Sequence, residues 1–111
     1  MSNSDPSSST VRAAATSLDW ERLKSRSASV PAHVVFRAFV SETVLLNIET
    51  GKYYALDEVG GHFYEVMCRS PSLDVAVEAL LTEFDASEDR IREDLVRYCG
   101  ELLPRGLIEL R

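Results

Sequence analysis

The sequence predicts an α+β fold: a three-stranded antiparallel sheet followed by three helices, with residues 1–32 forming a mostly disordered extension ahead of it. Three observations predict it. Apolar residues recur at the strand period of two from His33 to Leu56. The period then changes to that of a helix and stays there to Leu102. Residues 1–32 are rich in Ser, Ala and Thr, and the dense apolar clusters begin only at Val34. Sheet on one side and helices on the other is a two-layer solution to burying one core.

Taken in order, residues 1–16 hold Ser runs, one Pro and no large apolar cluster, which predicts disorder. Leu18 to Arg26 fits a short helix capped by Ser17, with Leu18, Trp20 and Leu23 as its apolar surface. It is too short to stand alone, so it docks on the domain, frays or contacts a partner. Ser27 to Pro31 breaks the pattern. His33–Val40 is dense in β-branched and aromatic residues on both faces, so part of each face should be covered. A turn at Ser41-Glu42 leads to a second strand, Thr43–Ile48. Glu49–Lys52 is a hairpin connection in which Gly51 is free to take a positive φ. Tyr53–Leu56 is a short third strand, completing a meander. Its first and third strands start with free edges, one of which a short terminal strand at 107–110 could cover.

Asp57 is placed to cap a helix running through Cys68, where Gly60 and Gly61 would let the sheet approach closely. The second helix runs from Ser72 to Phe84 behind Pro71, with Leu73, Val77, Leu80, Leu81 and Phe84 as its stripe. The third begins at Ser87, carries Glu88 and Asp89 in the first turn where the helix dipole favours acids, and ends before Pro104 and Gly106.

A chain of 111 residues with 45% hydrophobic and 27% charged residues is in the range of a single globular domain. The net charge is −6. Residues 33–111 carry eight basic and fifteen acidic residues, so the predicted domain repels a phosphate backbone, which argues against broad nucleic-acid binding. No apolar run is long enough to span a membrane, and MSNSDPSSST has no signal core, so the cytoplasm is the expected location.

The search for chemistry finds no catalytic constellation. His33 and His62 are 29 positions apart and belong to no HxxxH or HExxH pattern; both are expected on the outside. Cys68 and Cys99 form no CxxC pair and sit in apolar helical patterns, the setting of structural thiols. Gly60-Gly61 lacks the spacing of a phosphate loop. No cofactor, metal site or enzymatic activity is expected. The mixed charges of the third helix read as a solvated face, with Glu93 and Arg97 four apart as a candidate pair. The aromatic stretch holding Tyr53, Tyr54, Phe63 and Tyr64 is the exception. Tyr53 and Tyr54 are neighbours in a strand and point to opposite faces, so both cannot fill the same core. At most one faces the core, and the other needs different cover or lies exposed. Against plain core filling, a groove beside this strand, a setting suited to peptide recognition, is the functional reading.

Three segments together resemble the PqqD-like proteins, also called RiPP recognition elements: VLLNIETGKYYALDEVGGHFYEVM from Val44 to Met67, then LDVAVEALLTEFDAS, then EDRIREDLVRYCGELLPRGLIEL. The resemblance covers residues 33–111. It implies a winged helix-turn-helix-like fold and a non-catalytic role, that of binding the leader region of a ribosomally synthesised precursor peptide and presenting it to a modifying enzyme or leader peptidase. In that family the leader adds a strand to the third strand and lies against the third helix. Carried onto this chain, the peptide-binding residues are Tyr53, Tyr54, Ala55 and Leu56 on the strand, and Arg90, Asp94, Arg97, Tyr98 and Glu101 on the helix. Members dedicated to quinone-cofactor synthesis usually have Pro-Glu in the turn after the second strand. Here that turn is Asn47-Ile-Glu-Thr-Gly51, nearer the lasso-peptide and generic members. The first helix has Tyr64 where members usually have Trp. The implied partners are a precursor leader peptide and a pathway enzyme, with a homodimer compatible. The alternative is a winged-helix DNA-binding regulator, against which stand five acids beside the three arginines of the third helix.

Overall fold

Alternating burial along the middle of the chain shows how the sheet meets the core. The computed structural model describes residues 19–111. A three-stranded antiparallel sheet is built from β2 (Val34–Ala38), β3 (Glu42–Asn47) and β4 (Lys52–Asp57), in that spatial order. On the central strand, Thr43, Leu45 and Asn47 are buried, while Val44 and Leu46 turn to the other face. The registers Phe36–Leu45–Tyr54 and Val35–Leu46–Tyr53 put each trio on one face. Gly51 adopts φ 75° in the β3–β4 turn, the left-handed conformation that favours glycine.

Three helices cover the inner face: α2 (Glu58–Arg69), α3 (Leu73–Leu81) and α4 (Glu88–Leu102). Each starts at the residue the sequence marks. The side chains of Asp57, Ser72 and Ser87 accept hydrogen bonds from the backbone N–H of Gly60, Val75 and Arg90 respectively. Helix α2 lies directly on β3 and β4. A Cβ on Gly61 would overlap the Thr43 hydroxyl, so only glycine permits this approach. The core gathers Leu45, Val66, Met67, Leu73, Leu80 and Leu95, all essentially inaccessible to solvent. Tyr64 lies within it and donates from its hydroxyl to the Leu107 carbonyl at 2.9 Å.

The second expected helix, α3, stops at Leu81, short of the expected Phe84, and the structure departs from the sequence expectations in four further places of the fold. The first concerns residues 19–32, expected to lie ahead of the domain. They pack onto it, through α1 (Trp20–Leu23) and β1 (Ala28–Ser29). Leu23 and Ala28 are buried, and the carbonyls of Lys24 and Arg26 accept from the free N–H groups of Asp74 and Leu73 at the start of α3. The cap of α1 is Asp19 rather than Ser17; the expected disorder of residues 1–16 lies outside the described residues.

The second is the terminal strand. β5 (Glu109–Leu110) pairs with β1, not with the meander, because Leu107 and Ile108 are drawn into the core beside α2. The third is the first strand of the meander. It ends at Ala38, the turn falls at Phe39–Ser41, and only Val34 is buried. Phe36 meets Tyr64 edge-on yet stays 36% exposed, since β2 runs along the rim of the helix layer. The fourth is His33, which is half-buried, with Nε2 hydrogen-bonded to the Gly106 carbonyl at 2.8 Å.

Candidate functional site

β4 is hydrogen-bonded to β3 alone, so its other edge has no strand beside it among the described residues. Which of its backbone groups point outward follows from the ladder. Phe39 donates to Glu42, and Ile48 donates to His33, so the odd-numbered residues of β2 face β3. Alternation then turns Thr43, Leu45 and Asn47 toward β4, bonding them to Leu56, Tyr54 and Lys52. The N–H and C=O groups of Tyr53 and Ala55 are left facing the open edge.

The side chains of β4 divide as the aromatic pair requires. Tyr54 and Leu56 turn inward and pack against the core, while Tyr53 is 72% exposed on the outer face. Beside the open edge lies a hollow of about 180 Å³ lined by Tyr54, Ala55, Leu56, Glu101, Leu102, Arg105 and Leu107. Its floor is largely apolar, and Glu101 and Arg105 supply one charge of each sign at its rim. The Arg105 guanidinium donates to the Glu101 carbonyl, which holds this end of α4 to the loop that follows.

Arg90, Asp94, Arg97, Tyr98 and Glu101 recur at helical spacing and form one stripe of α4. Asp94 is half-buried and sits between Arg90 at 3.6 Å and Arg97 at 3.4 Å. The Arg97 guanidinium also lies 4.9 Å from the centre of the Tyr98 ring. The expected Glu93–Arg97 pair is therefore replaced by one with Asp94. Tyr98 stacks on Phe63 at 5.4 Å. A Cβ on Gly60 would come within 3.2 Å of the Tyr98 hydroxyl and 3.5 Å of the Leu56 Cβ, so the missing side chain makes room where α4 meets the end of β4. Burial pushes the Tyr98 hydroxyl pKa up from its ordinary value of 10.0. Arg92 lies apart from the stripe, paired with Glu88 and resting 5.5 Å from the Trp20 ring centre. All three arginines of the helix thus already face carboxylates.

The family model described as coenzyme PQQ synthesis protein D (PqqD) matches residues 42–108. The chain belongs to the PqqD family. The match starts at the first residue of β3 and runs through β4 and the three long helices. A solved structure described as TbiB1 in complex with the TbiA(beta) leader peptide is similar over 73% of this chain and 94% of its own. The two share 26% sequence identity, with a TM-score of 0.68. A search of curated proteins gave no match.

Of the residues singled out from sequence, this PqqD-family fold brings Tyr54, Ala55, Leu56 and Glu101 around one hollow and sets Tyr98 at its neighbouring corner. Tyr53 contributes backbone to the edge but aims its ring away. Arg90, Asp94 and Arg97 continue the stripe toward the start of α4. Sequence reasoning missed Leu102, Arg105 and Leu107. The spacing of Leu102 reads as core, and the other two follow Pro104, where helical periodicity gives no guidance. The thiols sit elsewhere: Cys99 is buried, Cys68 half-buried, and burial pushes their pKa values up to about 11 and about 12.

Proposed function

We propose that this PqqD-family chain is a RiPP recognition element that binds the leader region of a ribosomally synthesised precursor peptide and performs no chemistry on it. The leader adds as a fourth strand along β4, bonding to the outward backbone groups of Tyr53 and Ala55. Its side chains enter the hollow beside Tyr54 and Leu56 and run along the stripe from Arg90 to Glu101. The bound peptide is then presented to a modifying enzyme or leader peptidase of the same pathway, of the lasso-peptide type, in the cytoplasm.

The observation that carries this reading is the unpaired β4 edge beside a hollow walled by α4. Such an edge is a row of unsatisfied donors and acceptors that an extended peptide can complete. The leader orders itself on binding, so backbone bonds alone are a poor source of affinity and apolar anchors must contribute. The similar TbiB1 structure was determined with a leader peptide, which supports the same reading for a chain sharing its fold.

The proposal is tested by titrating the labelled full chain with leader peptides encoded beside its gene, using two proline variants whose native fold is first checked by circular dichroism. Ala55→Pro removes an N–H from the open β4 edge. Ala38→Pro removes one from the open β2 edge by the same alternation. The expected result is saturable binding that weakens by about tenfold or more in Ala55→Pro and persists in Ala38→Pro. No binding by any leader, or the reverse dependence on the two prolines, overturns the proposal.

A further inference from the structure

At the end of the sheet remote from the β3–β4 turn, a hollow of about 350 Å³ opens between the β2–β3 turn, the start of α2 and the segment after α3. It shares no lining residue with the hollow beside β4. Two properties set it apart. Its rim is apolar where a turn has no need to be: Phe39 is 61% exposed, Val40 95% and Val59 47%. A hairpin turn is ordinarily polar, and exposed apolar side chains grouped across the β2–β3 turn and the start of α2 mark an interaction surface. Its charge is also of one sign. Glu42, Glu58, Glu65 and Glu83 line it, and His62 is the only lining residue able to carry a positive charge. His62 is engaged by Glu83. Among the described residues, Glu42, Glu58 and Glu65 have no basic side chain within ion-pair distance. Nor do these acids converge as a metal-ligating group among the described residues.

We infer that this hollow is a second docking surface, and that it takes a segment of a partner protein in which an aliphatic or aromatic side chain is flanked by Lys or Arg. The apolar rim of Phe39, Val40 and Val59 covers the central side chain. The flanking cations meet Glu42 and Glu58, which have no basic partner among the described residues. A second copy of this chain is a poor occupant, since it brings a further net charge of −6 toward an already acidic surface. With the β4 edge free at the same time, the molecule can hold two polypeptides at once.

The experiment uses the full chain as bait for a phage-displayed random peptide library, with a Phe39→Ser, Val40→Ser variant as the counter-selection. Selected peptides are synthesised and titrated while backbone amide shifts are followed. The expected result is enrichment of peptides with Lys or Arg beside Leu, Ile or Phe, and shifts at residues 39–42, 58–62 and 83–84. Binding should fall about tenfold in Glu42→Lys, Glu58→Lys and at about 0.5 M salt, and less in Glu42→Gln, Glu58→Gln, which removes charge without reversing it. The inference is overturned by any of four results. These are no enrichment over the variant, selected peptides without basic residues, and shifts confined to β4 and α4. The fourth is occupation of the surface by this chain itself, seen as self-association lost in Val40→Ser or as binding that emerges only after residues 1–18 are removed.

Discussion

Asn47 shows how one side chain ties distant parts of the chain together. It is 4% exposed. Its amide donates to the Arg105 carbonyl at 3.2 Å, and its oxygen accepts from the N–H groups of Glu49 and Thr50. The turn before β4 and the loop behind α4 are thereby held to one residue. Asn47→Ala strands all three backbone groups, so it should cost about 1–3 kcal/mol in a urea unfolding measurement. Gly61→Ala should cost a similar ~1–3 kcal/mol, because the new methyl group meets the Thr43 side chain. The thiols give a pH dependence. Burial raises Cys68 from 9.0 to about 12 and Cys99 from 9.0 to about 11, so the folded chain keeps protons that the unfolded chain releases. Their contribution is intact below pH 9 and is lost progressively as the pH rises through that range. The unfolding midpoint should therefore decline above pH 9, and replacing both with Ala or Val should flatten the decline. Ser72, read as the first residue of its helix, is its cap instead. The caps Asp57 and Ser87 were legible in the sequence, since they act on neighbours three residues away. Asn47 and His33 were not, because their partners lie 58 and 73 positions along the chain.

At the scale of elements, the sheet has two edges without a strand beside them among the described residues, and they differ in what flanks them. β2 runs along the rim of the helix layer and leaves most of its side chains exposed. β4 faces a hollow walled by α4. The meander and the three helices could be read from the change in period from two to 3.6. The fate of the terminal strand could not, since four apolar residues after a glycine fit either a sheet edge or a core-facing tail. Burial of Leu107 and Ile108 and the pairing of Glu109–Leu110 with β1 decide it. On α4, neutralising Arg97 should loosen Asp94 and Tyr98 together. Arg97→Ala should weaken leader binding by several-fold in the titration described above, with thermal stability little changed because Arg97 itself is exposed and Asp94 keeps Arg90 as a partner.

Across the whole molecule, residues 19–30 behave as part of the folded body. Periodicity gave them little weight because a four-residue helix and a two-residue strand are too short to register a pattern. Their contacts are with α2, α3, α4 and β5, all far along the chain. A chain beginning at residue 31 loses Leu23, Ala28 and the two carbonyls that cap α3. It should be at least about 2–3 kcal/mol less stable than one beginning at residue 19, as read from denaturant midpoints. The net acidity of the domain was legible at this scale from composition alone; the structure adds that the arginines of α4 pair with Glu88 and Asp94 rather than standing free for phosphate. What composition could not place was where the acidity collects, at the hollow under the β2–β3 turn, opposite in the sheet to the β3–β4 turn.

The central claim concerns the direction in which β4 presents its backbone, and amide hydrogen exchange reads that direction residue by residue. In the free chain the amides of Tyr54 and Leu56 should exchange slowly, held by β3, and those of Tyr53 and Ala55 quickly. Saturation with the cognate leader should slow Tyr53 and Ala55 and leave Phe36 and Ala38, on the other edge, as they were. A bound leader that left Tyr53 and Ala55 unprotected, or that protected Phe36 and Ala38 instead, would contradict the account.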